Sequence, residues 1–210
     1  MEITKPILIS ISRQLGTGGA YLGQRIAQKL NIYYADREII NQAAQQYFLL
    51  KDDEEARDEE IFSFLDSFSH YSTFAPDVHI PSKLFASTEA QVFKIESDII
   101  QKIVKANSAV IVGRFGFYFL RDYPNHISIF LHGDIPSRSV RVQKLYNVSE
   151  QDARLMIIKN DREKAVDCKA FTGKDWTDAK NYNISINTGK MDIDRVEEII
   201  MKYIELIIDK

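Results

Sequence analysis

The sequence predicts a single α/β domain of three layers, in which helices flank a parallel sheet of about five strands. Short β-branched runs alternate with segments whose apolar residues recur at helical spacing. The first run leads into a turn with three glycines in four positions, and polar residues follow the ends of other strands. Ligands of open parallel sheets bind beyond the carboxyl ends of the strands, so that edge is the expected site.

The first half of the sheet is predicted from residues 7–11 and 32–35, which are short and rich in β-branched or aromatic residues. Between them the apolar spacing is helical from Ala20 onwards, and Asn31 is a residue typical of a helix C-terminus. The residues of the apolar stripe are Leu22, Ile26 and Leu30.

The second half is predicted to hold strands at residues 109–112, 127–131 and 184–187. Thr88 and Gln91 resemble a capping box that opens one helix, and Ser149 caps another that runs to about Val166. A closing helix completes the domain. The apolar stripes of the first and last of these helices are Val92, Ile95, Ile99 and Ile103, and Val196, Ile199, Ile200, Tyr203 and Ile207.

Composition excludes several classes of protein. Lys and Arg total 27 against 30 Asp and Glu, a net charge of −3 that is too balanced for a nucleic-acid coat or a membrane-surface protein. No apolar run is long enough to span a bilayer, and residues 1–12 lack the pattern of a signal peptide. Cys168 alone excludes an intrachain disulfide and a cysteine-clustered metal site, so we expect an inert thiol and a cytoplasmic protein.

The glycine loop after the first strand, Gly16-Thr17-Gly18-Gly19, presents backbone N–H groups and a helix N-terminus, for which phosphate is the natural ligand. Two nucleotide motifs compete for it. In the dinucleotide motif G-x-G-x-x-G the third glycine would fall on Tyr21, although an acid, Asp36, follows at the expected distance. In the P-loop motif G-x-x-x-x-G-K-[ST], Gly19 stands in place of the lysine. Neither match is complete.

Five blocks in fixed order carry a resemblance to a known family: SRQLGTGG, YYADREII, VIVGR, NDREKA and W-x₄-NYNISINTG. Together they span Ser10 to about Ile200, and the chain resembles the cytidylate-kinase-like family. The resemblance implies a P-loop NTPase fold, with an acceptor-binding insertion at residues 37–90 and a lid at residues 138–168. It also implies ATP and Mg²⁺ as cofactors, the ion being held mainly by phosphates and water.

The resemblance also assigns roles to individual residues. ATP phosphates would be bound by the loop and its neighbours, Arg13, Gly16, Thr17, Gly18, Gly19 and Ala20. The acceptor would be bound by Asp36, Arg37, Gly113 and Arg114. The catalytic residues of the lid would be Arg138, Arg141, Asp161 and Arg162. Phosphoryl transfer itself favours such a set, because it depends on alignment and on neutralising phosphate oxygens. Without the strand context, Arg138 and Arg141 would be interpreted as a solvated helix face.

The sequence departs from the family pattern at several of these positions. Ala20 and Tyr21 stand where a Ser or Thr would hold Mg²⁺, and Arg13 is the nearest substitute for the missing lysine, although it could equally pair with an acid. Phe115 replaces an acid, which puts selectivity for cytosine in doubt, and Asn183 replaces an aspartate. Trp176 with Tyr182 is interpreted as a packed corner.

The insertion is the least patterned segment. Its acidic run, residues 52–55, is interpreted as a solvated helix face. Its apolar and aromatic residues could stack on a base, or pack against the core or a second subunit, which leaves a homodimer open. They are Phe62, Phe64, Leu65, Phe68, Tyr71 and Phe74.

The predicted function is therefore transfer of a phosphoryl group from ATP to a small acceptor, a nucleoside monophosphate such as CMP. The alternative is a non-catalytic nucleotide-binding module or sensor with a degenerate P-loop, which the missing lysine and hydroxyl motivate. A dinucleotide-dependent oxidoreductase is the third hypothesis.

Overall fold

The computed structural model describes residues 6–36, 40, 89–113 and 115–208, and within them five parallel strands form one sheet in the order β2-β3-β1-β4-β5. The strands are β1 Leu8–Arg13, β2 Tyr33–Asp36, β3 Ala109–Val112, β4 His126–His132 and β5 Ile184–Asn187. The helices are α1 Gly19–Leu30, α2 Glu89–Ala106, α3 Gly116–Phe119, α4 Ile135–Tyr146, α5 Glu150–Thr172 and α6 Ile193–Ile208, with a 3₁₀ turn at Ala179–Asn181. The predicted fold class is confirmed.

The core lies around β1, which is buried along all six residues because β3 and β4 pair with it on either side. Ile11, for example, lies beside Val112 in one neighbour and Ile129 in the other. Aliphatic side chains of α1, α2 and α6 complete this core. They include Leu22, Ile26, Ile99, Ile103, Val196 and Ile200. The β-branched strand residues thus form the buried sheet that their pattern predicts.

Several strand and helix ends differ from the predicted ones, because contacts with distant parts of the chain determine them. β1 continues through Ser12 and Arg13, because the longer β4 offers backbone partners to both. α5 continues past Val166 to Thr172, and Gly173 ends it in the left-handed region, where its N–H bonds the carbonyl of Lys169. Both helix ends that depend on local chemistry are confirmed. Asn31 ends α1 with a φ of 52°, and the side chain of Ser149 accepts the N–H of Asp152.

Most of the predicted insertion lies outside the described residues, apart from Ile40 and the start of α2. The acidic run, the aromatic residues from Phe62 to Phe74, and Thr88 of the capping box lie there as well. Among the helices that the structure describes, none combines the length and apolarity that crossing a membrane requires.

Candidate functional site

The glycine loop joins the end of β1 to the start of α1 and is shaped by two glycines with positive φ. Gly16 has a φ of 83° and Gly18 a φ of 80°, values that side-chain-bearing residues rarely adopt. A β-carbon on Gly16 would lie 2.7 Å from the carbonyl oxygen of Arg138, and one on Gly18 would lie 2.9 Å from Cδ1 of Ile193. The loop is therefore pressed between α4 and α6, and its last residues open α1. A helix N-terminus concentrates N–H groups and favours a bound anion.

Three cationic side chains from the predicted lid contact backbone carbonyls of this segment. Lys164 donates to the carbonyl of Arg13 at 3.0 Å. Arg138 donates to that of Leu15 at 3.2 Å, and Arg141 to that of Gly16 at 3.4 Å. The side chain of Thr17 donates to the carbonyl of Gln14 at 2.8 Å. Side-chain donors thus hold the carbonyl side of the loop.

Arg138 forms an ion pair with the half-buried Asp161, at 2.7 Å between Nη1 and Oδ2. Arg138 is only 3% exposed, so the interpretation as a solvated helix face is wrong for this residue, because α4 packs that face against the loop. Gln14 donates to the same Asp161 oxygen at 3.3 Å, and its own oxygen accepts the N–H of Gly133 at 3.1 Å. Arg162, the neighbour of Asp161, is exposed.

Arg141 reaches past the loop to the segment that follows β5. Its guanidinium donates to the hydroxyl of Thr188 at 3.1 Å and to the carbonyl of Thr188 at 2.9 Å. Burial lowers the pKa of Arg141 from its ordinary value. The interpretation of Arg141 as part of a solvated helix face is therefore wrong as well. We call the side chains that tie the loop to α4 and α5 the polar junction: Gln14, Arg138, Arg141, Asp161 and Lys164.

Arg13 connects the loop with the end of β3. A β-carbon on Gly19 would lie 2.7 Å from Cγ of Arg13, so the aliphatic stem of Arg13 crosses Gly19. A β-carbon on Gly113 would overlap Nη1 of Arg13, so the guanidinium lies against Gly113. Gly113 has a φ of 86°, and its N–H bonds the carbonyl of Ile11 at 2.9 Å. The structure thus brings together Arg13, Gly19 and Gly113, which the resemblance assigns to two different subsites.

Asp36 ends β2 and is buried, with 5% exposure. The hydroxyl of Tyr34 donates to its Oδ2 at 2.8 Å and lies 3.5 Å from the carbonyl oxygen of Ala20. Asp36 is therefore linked to the first turn of α1. Two further predicted acceptor residues, Arg37 and Arg114, lie outside the described residues.

A second cluster lies beside the polar junction, and we call it the aromatic corner: Phe117, Phe130, Cys168, Trp176 and Tyr182. The rings of Phe130 and Tyr182 stack with centroids 5.0 Å apart, and the Tyr182 hydroxyl donates to the carbonyl of Trp176 at 2.6 Å. Burial raises the pKa values of the Tyr182 hydroxyl and the Cys168 thiol, which fits an unreactive thiol. The packed corner predicted from Trp176 and Tyr182 is confirmed.

Two departures from the family pattern occupy positions in the packing of this region. Asn183 accepts the N–H of Ser128 at 2.7 Å and its hydroxyl at 2.9 Å, which ties β5 to β4. Phe115 adopts a φ of 54°, and its ring lies 6.4 Å from that of Phe171 on α5. The side chain of Asn183 therefore connects the start of β5 to β4.

Sequence reasoning missed three residues of the site: Gln14, Lys164 and Thr188. Gln14 and Lys164 lie in two of the blocks that carry the resemblance, and Thr188 lies in a third. Their presence in these blocks is the sequence signal that could have identified them as residues of the site. Their contacts join residues far apart in the sequence, 151 positions for Lys164 and Arg13 and 47 for Arg141 and Thr188, so no local pattern predicts them.

In the part of the chain that the structure describes, no three His, Cys, Asp or Glu side chains come together as a metal site. The hydroxyl of Thr17 is directed to the carbonyl of Gln14, and that of Tyr21 accepts from Arg25 at 2.7 Å. These two hydroxyls are therefore engaged within the protein. A Mg²⁺ ion at the loop would be held chiefly by phosphate oxygens and water, with the buried carboxylate of Asp36 linked through Tyr34 to the first turn of α1.

Comparisons with known proteins agree with this architecture, which is that of a three-layer P-loop α/β fold. A gluconokinase from Sinorhizobium meliloti 1021 superposes over 97% of this chain and 94% of its own, with a TM-score of 0.53 at 11% identity. An uncharacterized protein from Eubacterium ventriosum ATCC 27560 gives a TM-score of 0.72 at 28% identity, over 96% of this chain and 99% of its own.

The chain belongs to the cytidylate kinase-like family, whose model matches residues 8–190. A cytidylate kinase from Sulfurisphaera tokodaii is 25% identical over 117 residues, which are 56% of this chain and 64% of that protein. The match thus spans less than two thirds of that relative's length. The resemblance predicted from the sequence blocks is confirmed.

Proposed function

We propose that the protein transfers the γ-phosphoryl group of ATP to a small acceptor, a nucleoside monophosphate such as CMP. The observation that carries this proposal is the glycine loop at the carboxyl edge of the parallel sheet, with the N-terminus of α1 on one side and three lid cations on the other. Such an arrangement suits phosphoryl transfer, which depends on positioning and on neutralising phosphate oxygens.

The donor phosphates would be bound by the N–H groups of the loop, from Gly16 to Ala20. Arg138 and Arg141 hold the loop carbonyls, so the loop keeps its shape before a nucleotide arrives. Preformed donors cost no reorganisation when charge develops, which is why this arrangement supports the proposal. Asp161 positions Arg138, and Arg162 would add its charge from the exposed side of α5.

The acceptor would bind where β2 and β3 end, through Asp36, Arg37, Gly113 and Arg114. A phosphate oxygen of the acceptor would attack the γ-phosphorus, the bond from that phosphorus to the bridging oxygen would break, and ADP would leave. Mg²⁺, when bound to the phosphates, would neutralise their charge. Cytidylate kinases among the relatives support CMP as the first acceptor to test.

The test is a steady-state assay of the purified protein with Mg-ATP and a panel of nucleoside monophosphates and nucleosides, in which ADP and the phosphorylated acceptor are followed together. We expect equal amounts of both products with one acceptor. Arg114→Ala should lower kcat/KM for the acceptor by about 100-fold, because an arginine fork that grips phosphate is lost.

The matched control is Arg121→Ala. Arg121 is an exposed arginine that pairs with Asp122 at 3.4 Å, so its loss should leave the rate unchanged. Absence of product with every acceptor, while ATP still binds saturably, would contradict the kinase proposal and favour the non-catalytic sensor.

A further inference from the structure

The register of the P-loop motif shows an exchange of two residues. When Gly18 takes the second glycine of G-x-x-x-x-G-K, the first glycine falls on residue 13 and the lysine on residue 19. The chain instead has Arg13 at the position of the first glycine and Gly19 at the position of the lysine. The motif's glycine and cation have therefore changed places.

The structure gives this exchange a steric basis. A β-carbon on Gly19 would lie 2.8 Å from Cβ and 2.7 Å from Cγ of Arg13, both at the base of the side chain. Cβ cannot swing aside as a side-chain tip can, because it is attached to the backbone that pairs with Leu131 in β4. Residue 19 therefore has to be glycine while residue 13 is arginine. A lysine at 19 and an arginine at 13 would compete for one space.

The head of Arg13 reaches the carboxyl end of β3. Its guanidinium lies against Gly113, at the carboxyl end of β3, while its stem crosses the first residue of α1. It thus spans the interval between the donor loop and the predicted acceptor element. Lys164 donates to the carbonyl of Arg13 at 3.0 Å and holds this end of β1 in place.

The geometry points to Arg13 as the residue that takes over the phosphate-contacting role of the P-loop lysine. It approaches from the end of β1 instead of the start of α1, and Gly19 stays small to let it pass. This inference rests on the proposed function of the same site. It explains how a loop with glycine at the lysine position can still present a cation to the transferred phosphoryl group.

The test is a double-mutant cycle of Arg13→Gly and Gly19→Lys, with kcat/KM for ATP and the affinities for ATP and AMP measured on each protein. Arg13→Gly should lower kcat/KM by about 100-fold and weaken ATP binding more than AMP binding, because a cation at the distal phosphates is lost. Gly19→Lys alone should also lower it, because the lysine has no room. The double variant restores the motif's arrangement and should be at least about tenfold faster than either single variant.

The matched control is Arg13→Gly combined with Gly19→Ala, which relieves the same crowding but supplies no cation. We expect this control to fold like the double variant, as thermal unfolding would show, and to stay as slow as Arg13→Gly. A purely structural role for Arg13 predicts equal rates for the two double variants, and that result would overturn the inference. Unchanged kcat/KM in Arg13→Gly would overturn it as well.

The same proteins separate this inference from the proposed function. If the wild type binds nucleotides but transfers no phosphoryl group, the kinase proposal fails and the affinities decide about Arg13. Loss of the preference for ATP over AMP in Arg13→Gly, with recovery in the lysine double variant, would support the inference, and an unchanged preference would overturn it. A wild type that binds neither nucleotide would overturn both.

Discussion

Helix α5 joins two regions that are built in different ways. Its middle carries Asp161 and Lys164 into the polar junction, where charged side chains hold backbone carbonyls of the glycine loop. Its C-terminal end carries Cys168 into the aromatic corner, where it packs with Phe130, Trp176 and Tyr182, and Nζ of Lys164 lies 5.8 Å from the centroid of the Trp176 ring. Apolar burial is non-directional and fixes where a helix lies, whereas charged groups orient one another. We infer that the aromatic corner anchors α5 and that the polar junction shapes the loop.

One of the two largest effects should come from breaking the ion pair between Arg138 and Asp161 in the polar junction. Asp161→Asn would leave the charge of Arg138, which is 3% exposed, without its partner. We expect the free energy of unfolding to fall by about 3 kcal/mol, because a buried charge is left uncompensated. Urea denaturation followed by circular dichroism measures it. The KM for ATP should rise as well, since Arg138 also holds the carbonyl of Leu15.

The matched control is Asp122→Asn, which removes the carboxylate of an exposed pair with Arg121. Surface pairs contribute less than about 1 kcal/mol, so this variant should unfold like the wild type. Equal effects of the two substitutions would show that burial does not distinguish the two pairs, and would contradict the polar junction as described.

The second, of similar size, tests the comparison from the apolar side. Phe117→Ala removes a ring that is 5% exposed and lies 5.1 Å from that of Tyr182. The lost burial and the cavity should lower the free energy of unfolding by about 3 kcal/mol. The KM for ATP should stay within about twofold, because the polar junction keeps its contacts. A rise in KM comparable to that of Asp161→Asn would show that the two regions do not act separately.

A smaller effect, on the pH dependence of stability, comes from His126 at the N-terminal end of β4. His126 Nε2 lies 2.7 Å from the hydroxyl of Ser10, and burial lowers the pKa of His126 from 6.5 to about 4. As the pH falls, His126 is therefore protonated in the unfolded chain before it is protonated in the folded protein. The stability from neutral His126 is present above about pH 6.5 and is lost as the pH falls towards about 4.

We expect this histidine to account for a loss of about 2 kcal/mol in the free energy of unfolding between about pH 7 and pH 4.5. His126→Gln should abolish that part of the pH dependence in urea denaturation. A variant that loses stability with pH as steeply as the wild type would contradict the assignment. His132, at the other end of the strand, has its pKa lowered by burial and by the positive charge of Arg138, so it remains in both proteins as an internal reference.

The smallest effect removes one hydrogen bond from the aromatic corner. Tyr182→Phe keeps the ring but loses the hydroxyl that donates to Trp176 at 2.6 Å. We expect a loss of about 1 kcal/mol in the free energy of unfolding, with unchanged kinetics. A change in the KM for ATP would place Tyr182 in the nucleotide site instead of the packing.

The strands and helix caps could be predicted from the sequence because they depend on neighbouring residues. Asn31 ends α1 and Ser149 opens α5 as their side-chain chemistry indicates. The candidate site depends on contacts between residues that are far apart in the sequence. Arg13 was placed at the start of the loop, but pairing with β4 makes it the last residue of β1 and directs its side chain across Gly19. Helical spacing alone indicated a solvated Arg138, since its partner Asp161 comes from another helix.

We infer that the glycine loop and its cations recognise the phosphate groups of a nucleotide. Calorimetric titration of the wild-type protein with ATP, ADP and AMP tests this inference. We expect the affinity to fall with each phosphate removed, by at least about tenfold from ATP to AMP, because charge-assisted hydrogen bonds at the loop are lost. AMP binding as tightly as ATP would contradict it, since recognition would then leave the loop unused.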